Sequence, residues 1–140
     1  VLLDGDKIRE TISVDLSYDT KARIENAKRI SGLCQLLHEQ NIHVVCAILS
    51  ISEENRIWNR LKIKEYIEVF IDVSVENLIK RDPKRLYLKQ KSGLIHGIPG
   101  VDMLFEKPKN PDIVIDNNGD ISAINEYEKV LADLILKADR

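Results

Sequence analysis

Three apolar residues, Val1 to Leu3, run directly into Asp4-Gly5-Asp6. An apolar run that stops at Asp-Gly reads as the end of a buried strand, and the turn behind it aims both carboxylates at one point. A carboxylate placed there can position metal-bound water and take the proton of a hydroxyl group. Two further strand ends carry polar groups: Ser50 stands near the close of HVVCAILSI and Asp72 near the close of YIEVFIDV. Ligands of open parallel sheets sit beyond the carboxyl ends of the strands, so these residues are the ones to examine. Each also has an ordinary structural use, since a strand-end Asp forms turns or caps helices and Ser50 or Ser52 can cap a helix beginning at SEEN.

The elements that must position these groups alternate along the chain. Short unalternating apolar runs at Val1 to Leu3, His43 to Ile51, Tyr66 to Val73 and Asp112 to Asp116 suit strands covered on both faces. Between them, Ile24, Ala27, Ile30, Cys34 and Leu37 step by three and four, which predicts a helix capped by Asp19 or Thr20 and running to about Gln40. SEENRIWNRL, VENLIKR, KRLYLKQKS and SAINEYEKVLADLILKAD predict further helices, the last burying Ile124, Tyr127, Val130, Leu131, Leu134 and Ile135. The order is that of an α/β protein with a mainly parallel sheet and helices on both faces. The stretch from Lys84 to Pro111 is the least regular, and long connections of this kind are more often lids or binding loops than spacers.

Composition excludes several roles. The 140 residues are 44% hydrophobic and 31% charged, which suits one compact domain with a real core. A formal net charge of -2 gives no global field to draw the chain onto nucleic acid or an anionic membrane. No apolar run reaches the roughly 20 residues of a membrane helix, and no charged-then-apolar signal opens the sequence, so a cytoplasmic protein is expected. Cys34 and Cys46 lack metal-ligand or CxxC spacing and are expected to be two buried thiols.

DGDKIR, ARIENAKRI, AILSISEENR, YIEVFIDV, KRDPKRLYLKQKSGLI and PGVDMLFEKPKNPDIVID occur in that order. With these gaps the series resembles the adenylylsulfate kinases, P-loop enzymes that phosphorylate the 3′-hydroxyl of adenosine 5′-phosphosulfate (APS). The resemblance covers nearly all of Leu3 to Asp116 and implies a three-layer P-loop NTPase-like fold, a single kinase domain over residues 1–140 and a lid at about 81–105. In that family a strand and a Gly-rich loop of the form G-x-x-x-x-G-K-[ST] precede DGDxxR. Neither is in this sequence, which leads to the expectation of a piece of a longer protein rather than a degenerate kinase.

Residue by residue, the resemblance makes Asp4 the general base and a metal ligand through water, with Asp6 orienting the same site. It makes Arg9, Arg23 and Asn26 contacts to the acceptor nucleotide. Their types suit that role, since a guanidinium fork grips oxyanions and Asn reads polar edges. Arg23 and Asn26 are three apart and share a helix face. On its own, Arg23 would read as a surface ion pair with Glu25 or Asp19. Ser50 is implied at the nucleotide site, and Arg81 and Lys84 in the lid, placed to stabilise the transferring phosphoryl group. Lys89 and Lys91 read as solvated surface charge.

The chain departs from the family where Ile51 replaces a proline and where Arg85 replaces a glycine. It departs again at the two phenylalanines that clamp the adenine, whose places are taken by Tyr18 and Ile98. One aromatic face is kept and one is lost, at about 1–3 kcal/mol per stacked base. The implied function is transfer of phosphate from ATP, with Mg2+, onto APS, giving an activated sulfate donor for sulfate assimilation. Two alternatives follow: the same chemistry on another 5′-modified nucleotide, such as cytidine diphosphoramidate in capsular polysaccharide modification, or a non-catalytic nucleotide-binding relative. The implied partners are ATP and a small nucleotide, with neither nucleic acid nor membrane, and a homodimer.

Overall fold

The computed structural model describes residues 1–82, 84–119 and 122–138. Its elements follow the order β1 (Leu2–Asp4), α1 (Gly5–Thr11), α2 (Thr20–His38), β2 (Val45–Ala47), α3 (Glu53–Lys62), β3 (Val69–Asp72), α4 (Val75–Arg81), α5 (Leu86–Lys91), β4 (Ile113–Asp116) and α6 (Ser122–Ala138). The strands form two parallel pairs, β1 with β2 and β3 with β4. The chain divides into two compact units, Val1–Tyr66 and Ile67–Arg140.

In the first unit, Leu2 pairs with Val45, Leu3 with Cys46 and Asp4 with Ala47. Both strands therefore end at the same edge, which brings the segments after Asp4 and Ala47 side by side. Leu3, Ile8 and Ile30 form the core, with Leu33, Cys34, Leu37, Val44 and Ile48 packed against it. Gly5 permits this closeness, because a Cβ there would lie 3.1 Å from Ile48 Cγ2 and 3.3 Å from the Ala47 carbonyl oxygen. Asp19 caps α2 through the Ala22 amide at 2.9 Å, as its position predicts. Ser52 caps α3 through the Asn55 amide at 3.2 Å, and Asn55 Nδ2 donates to Ser31 Oγ at 2.8 Å, tying α3 to α2.

In the second unit, Val69 to Asp72 pair in register with Ile113 to Asp116. Asn118 links the segments that follow the two strands: its Oδ1 accepts from the Ser74 amide at 2.8 Å and its Nδ2 donates to Asp116 at 2.7 Å. Within 93–103, Gly93, Gly97 and Gly100 all have positive φ, at 74°, 81° and 81°. That backbone is strained for side chains bearing a Cβ, which explains the glycine density of this stretch. Asp102 closes the same turn by accepting from the Gly97 and Ile98 amides at 3.1 and 2.6 Å.

Three expectations are corrected. The segment after Asp4 is the helix α1, not merely a turn, because the Asp4 carboxylate caps it. The strands are not covered on both faces: Leu2, Val45, Val69, Ile71 and Val114 are exposed. Each sheet has only two strands among the described residues, so every strand is an edge. On α6, Val130 and Ile135 are also exposed. The side chain of Ile124 lies outside the described residues.

Candidate functional site

The first unit gathers seven of the sequence-derived site residues. Asp4 ends β1, and its Oδ1 accepts from the amides of Asp6 and Lys7, both at 3.0 Å. The helix-cap role is thus real. It uses one carboxylate oxygen and fixes the side chain at the common carboxyl edge of β1 and β2. Asp6 stands in the first turn of α1.

Arg9 on α1 and Arg23 on α2 converge on the loop that joins the helices. Arg9 Nη1 donates to the Ser17 carbonyl at 2.8 Å and Arg23 Nε to the Tyr18 carbonyl at 2.9 Å. Both guanidiniums lie over the Tyr18 ring, at 4.7 and 5.8 Å from its centroid, within cation–π range. Ser17 and Asp19 are hydrogen bonded to each other in the same loop. Burial, and then the positive charge of Arg9, push the Arg23 pKa down. Two cations held this close favour a bound anion between or beside them. Tyr18 itself is 60% exposed, so ring surface remains for a ligand. On the same helix as Arg23, Arg29 grips Asp15 with two bonds at 2.7 and 2.8 Å and pairs with Glu25 at 3.4 Å.

Asn26, one turn beyond Arg23, is only 7% exposed. Its Oδ1 is buried and finds no hydrogen-bond partner among the described residues. The Oγ of Ser50 is buried and unpartnered in the same sense. Such atoms cost stability unless something supplies the missing bond.

Ser50 is held from below by a residue that sequence reasoning did not single out. Arg56, 4% exposed, donates from Nη1 to the Ser50 carbonyl at 2.8 Å. Its Nη2 is anchored on Glu53 at 2.6 Å. The sequence signal was available in principle: an arginine one turn into a Ser-capped helix, with an acid three residues before it.

The remaining predicted residues belong to the second unit. Arg81, at the end of α4, donates to Asn117 Oδ1 at 3.2 Å and to the Gly119 carbonyl at 3.0 Å. Lys84 is exposed between α4 and α5. Ile98 is 9% exposed, packed inward rather than presented as an open face. Phe105 stacks on Phe70 at 6.4 Å between centroids.

Mg2+ commonly takes one or two carboxylates and fills its remaining positions with water and substrate phosphates. No cluster of three or more acidic, His or Cys side chains suited to a metal occurs among the described residues. The exposed Asp4 carboxylate, with one oxygen outside the helix cap, fits such a sparse, substrate-dependent arrangement. No helix among the described residues is long and apolar enough to cross a membrane.

Comparison with known proteins bears on this arrangement. The family model described as adenylylsulphate kinase matches residues 1–116. An adenylyl-sulfate kinase of Pseudomonas aeruginosa is 38% identical over 117 residues, covering 82% of this chain and 60% of the relative. One of Aeromonas salmonicida is 37% identical over 120 residues, covering 84% of this chain and 61% of the relative. The chain thus spans about three fifths of the length of these relatives. The solved Mycobacterium tuberculosis APS kinase in complex with AMPPNP and APS superposes with a TM-score of 0.84 at 31% identity, covering 96% of this chain and 78% of that one. The α/β fold is therefore that of a P-loop kinase.

Proposed function

This chain belongs to the adenylylsulphate kinase family, and on that footing we propose that it takes part in transferring the γ-phosphoryl group of ATP to the 3′-hydroxyl of APS, its first unit recognising the acceptor. The observation that carries this reading is the convergence of Arg9 and Arg23 on Tyr18, together with the buried, unpartnered Oδ1 of Asn26, three residues after Arg23 on α2. The guanidiniums bind the phosphosulfate oxyanions, the Tyr18 ring stacks on the base and Asn26 accepts a ligand hydrogen bond.

Asp4 accepts the proton of the 3′-hydroxyl as the oxygen attacks phosphorus. Ser50 Oγ donates to a phosphate or substrate oxygen. Mg2+ bound with ATP would neutralise charge on the transferring group, with Asp4 as the residue to hold it through water. Arg81 and Lys84, in a lid at about 81–105, stabilise the same charge when they are brought to it. The proposal includes a homodimer.

A second reading, in which the acceptor is another 5′-modified nucleotide such as cytidine diphosphoramidate, rests on the replacement of a stacking phenylalanine by Ile98, and the burial of Ile98 favours APS over it. With Ile98 turned inward, Tyr18 is the one aromatic face that sequence correspondence offers the base. Steady-state kinetics on APS and a panel of 5′-modified adenine, cytosine and uracil nucleotides separate the two. In the same assay Asp4→Asn should lower turnover by about 100- to 10,000-fold at saturating substrate. It should leave folding intact, since Asn also caps helices. An active Asp4→Asn enzyme removes the base assignment, and a cytosine preference makes the second reading the correct one.

A further inference from the structure

Helix α3 is amphipathic in the reverse of the usual sense. Its buried residues, Asn55, Arg56 and Asn59, are polar. Asn55 is bonded to Ser31 of α2, and Arg56 to Glu53 and the Ser50 carbonyl. Its apolar residues face outward, with Ile57 52%, Trp58 36% and Leu61 77% exposed, whereas a helix ordinarily turns its apolar stripe to the core. Positions 54, 57, 58 and 61 step by three and four, so the three apolar side chains form one patch that begins at Glu54. Glu54 stands one turn before Trp58 and Lys62 one turn after it, and both are exposed. The other charges of the helix are engaged: Glu53 holds Arg56 at 2.6 Å, and Arg60 lies over the Tyr66 ring at 5.4 Å from its centroid.

We propose that this face is an interface with a second copy of the chain, the two α3 helices lying antiparallel across a two-fold axis that passes at Trp58. The inference rests on the homodimer included in the proposed function and names the surface that makes it. The charge pattern selects the occupant, because it is complementary to itself, as an isologous interface requires. Antiparallel helices centred on Trp58 set Glu54 of each copy opposite Lys62 of the other, since both lie four residues from the centre. A parallel pairing would set Glu54 against Glu54 and Lys62 against Lys62, and like charges so placed oppose association. Trp58 meets its own symmetry mate at the centre, where a large aromatic side chain shielded from water contributes most to affinity, and Ile57 and Leu61 exclude water around it. An anionic membrane surface is a poorer match, because the acid and base that flank the patch leave it without the cationic excess of surface-bound helices.

The test is sedimentation equilibrium of the protein and its variants, with circular dichroism as the check on folding. The wild type is expected to be a dimer. Trp58→Ala should weaken dimerisation by about 30-fold or more. Glu54→Lys should weaken it by about 10- to 30-fold, because both charge pairs related by the axis turn repulsive, and adding Lys62→Glu should restore it. That recovery separates a contact across the axis from a structural role of either residue, which a second reversal would only compound. A monomeric wild type overturns the inference together with the homodimer. A dimer whose affinity is unchanged by Trp58→Ala, or is not recovered by the double reversal, overturns the α3 interface alone and leaves the homodimer standing on another surface. If Trp58→Ala does not fold, the two charge variants decide the outcome.

Discussion

Both parallel strand pairs end in carboxylates, yet the two ends are used differently. In the second unit Asp72 is bound by Lys107 at 2.7 Å and Asp116 by Asn118 at 2.7 Å, so these side chains are occupied in joining strands to loops. In the first unit the edge after β1 and β2 carries Asp4, whose cap uses one oxygen, and Ser50, whose buried Oγ has no partner among the described residues. On the neighbouring α2, Asn26 Oδ1 is in the same condition. Residue type alone does not mark a ligand site. Buried polar atoms without a partner are not sufficient either, since Ser13 Oγ and Asn59 Oδ1 share that condition; what distinguishes the first unit is that they accompany two arginines converging on an exposed aromatic ring.

The contrast predicts unequal costs for removing charge from the two units. Arg56→Ala should be the most damaging change to stability, at about 3 kcal/mol, because it strips the Ser50 carbonyl and Glu53 of their buried partner. Urea denaturation measures this directly. A loss below about 1 kcal/mol would mean that Ser50 is held by its backbone path alone. Asp72→Asn should cost at most about 1 kcal/mol, since the Lys107 pair is partly exposed, and should leave acceptor affinity unchanged. If Asp72→Asn weakens APS binding instead, the carboxylate is not confined to its structural use and the contrast between the units fails.

Much of the scaffold was legible because its signals are local. Ser52 and Asp19 cap the helices their positions predict, and β2, β3 and β4 lie within their branched apolar runs, each shorter than its run, while β1 is displaced by one residue from Val1–Leu3 to end at Asp4. The helix α1 was not legible, since Gly5 at its start suggested a turn. Only the approach of Ile48 explains why glycine is needed there. The convergence of Arg9 and Arg23 on Tyr18 was beyond local pattern, because it depends on how the 12–19 loop folds back between two helices. The two cysteines depart from the expectation of two buried thiols, since Cys46 is exposed and Cys34 is half-buried.

The central claim is that the first unit recognises the acceptor nucleotide through its paired arginines. Calorimetric titration of the wild-type chain and of Arg23→Ala with APS and, separately, with ATP tests it most directly. Loss of a charged hydrogen bond, about 1.5–3 kcal/mol, predicts APS affinity lower by about 10- to 150-fold with ATP affinity unchanged. Equal weakening toward both nucleotides, or no change toward APS, would contradict the account and return Arg23 to the scaffold.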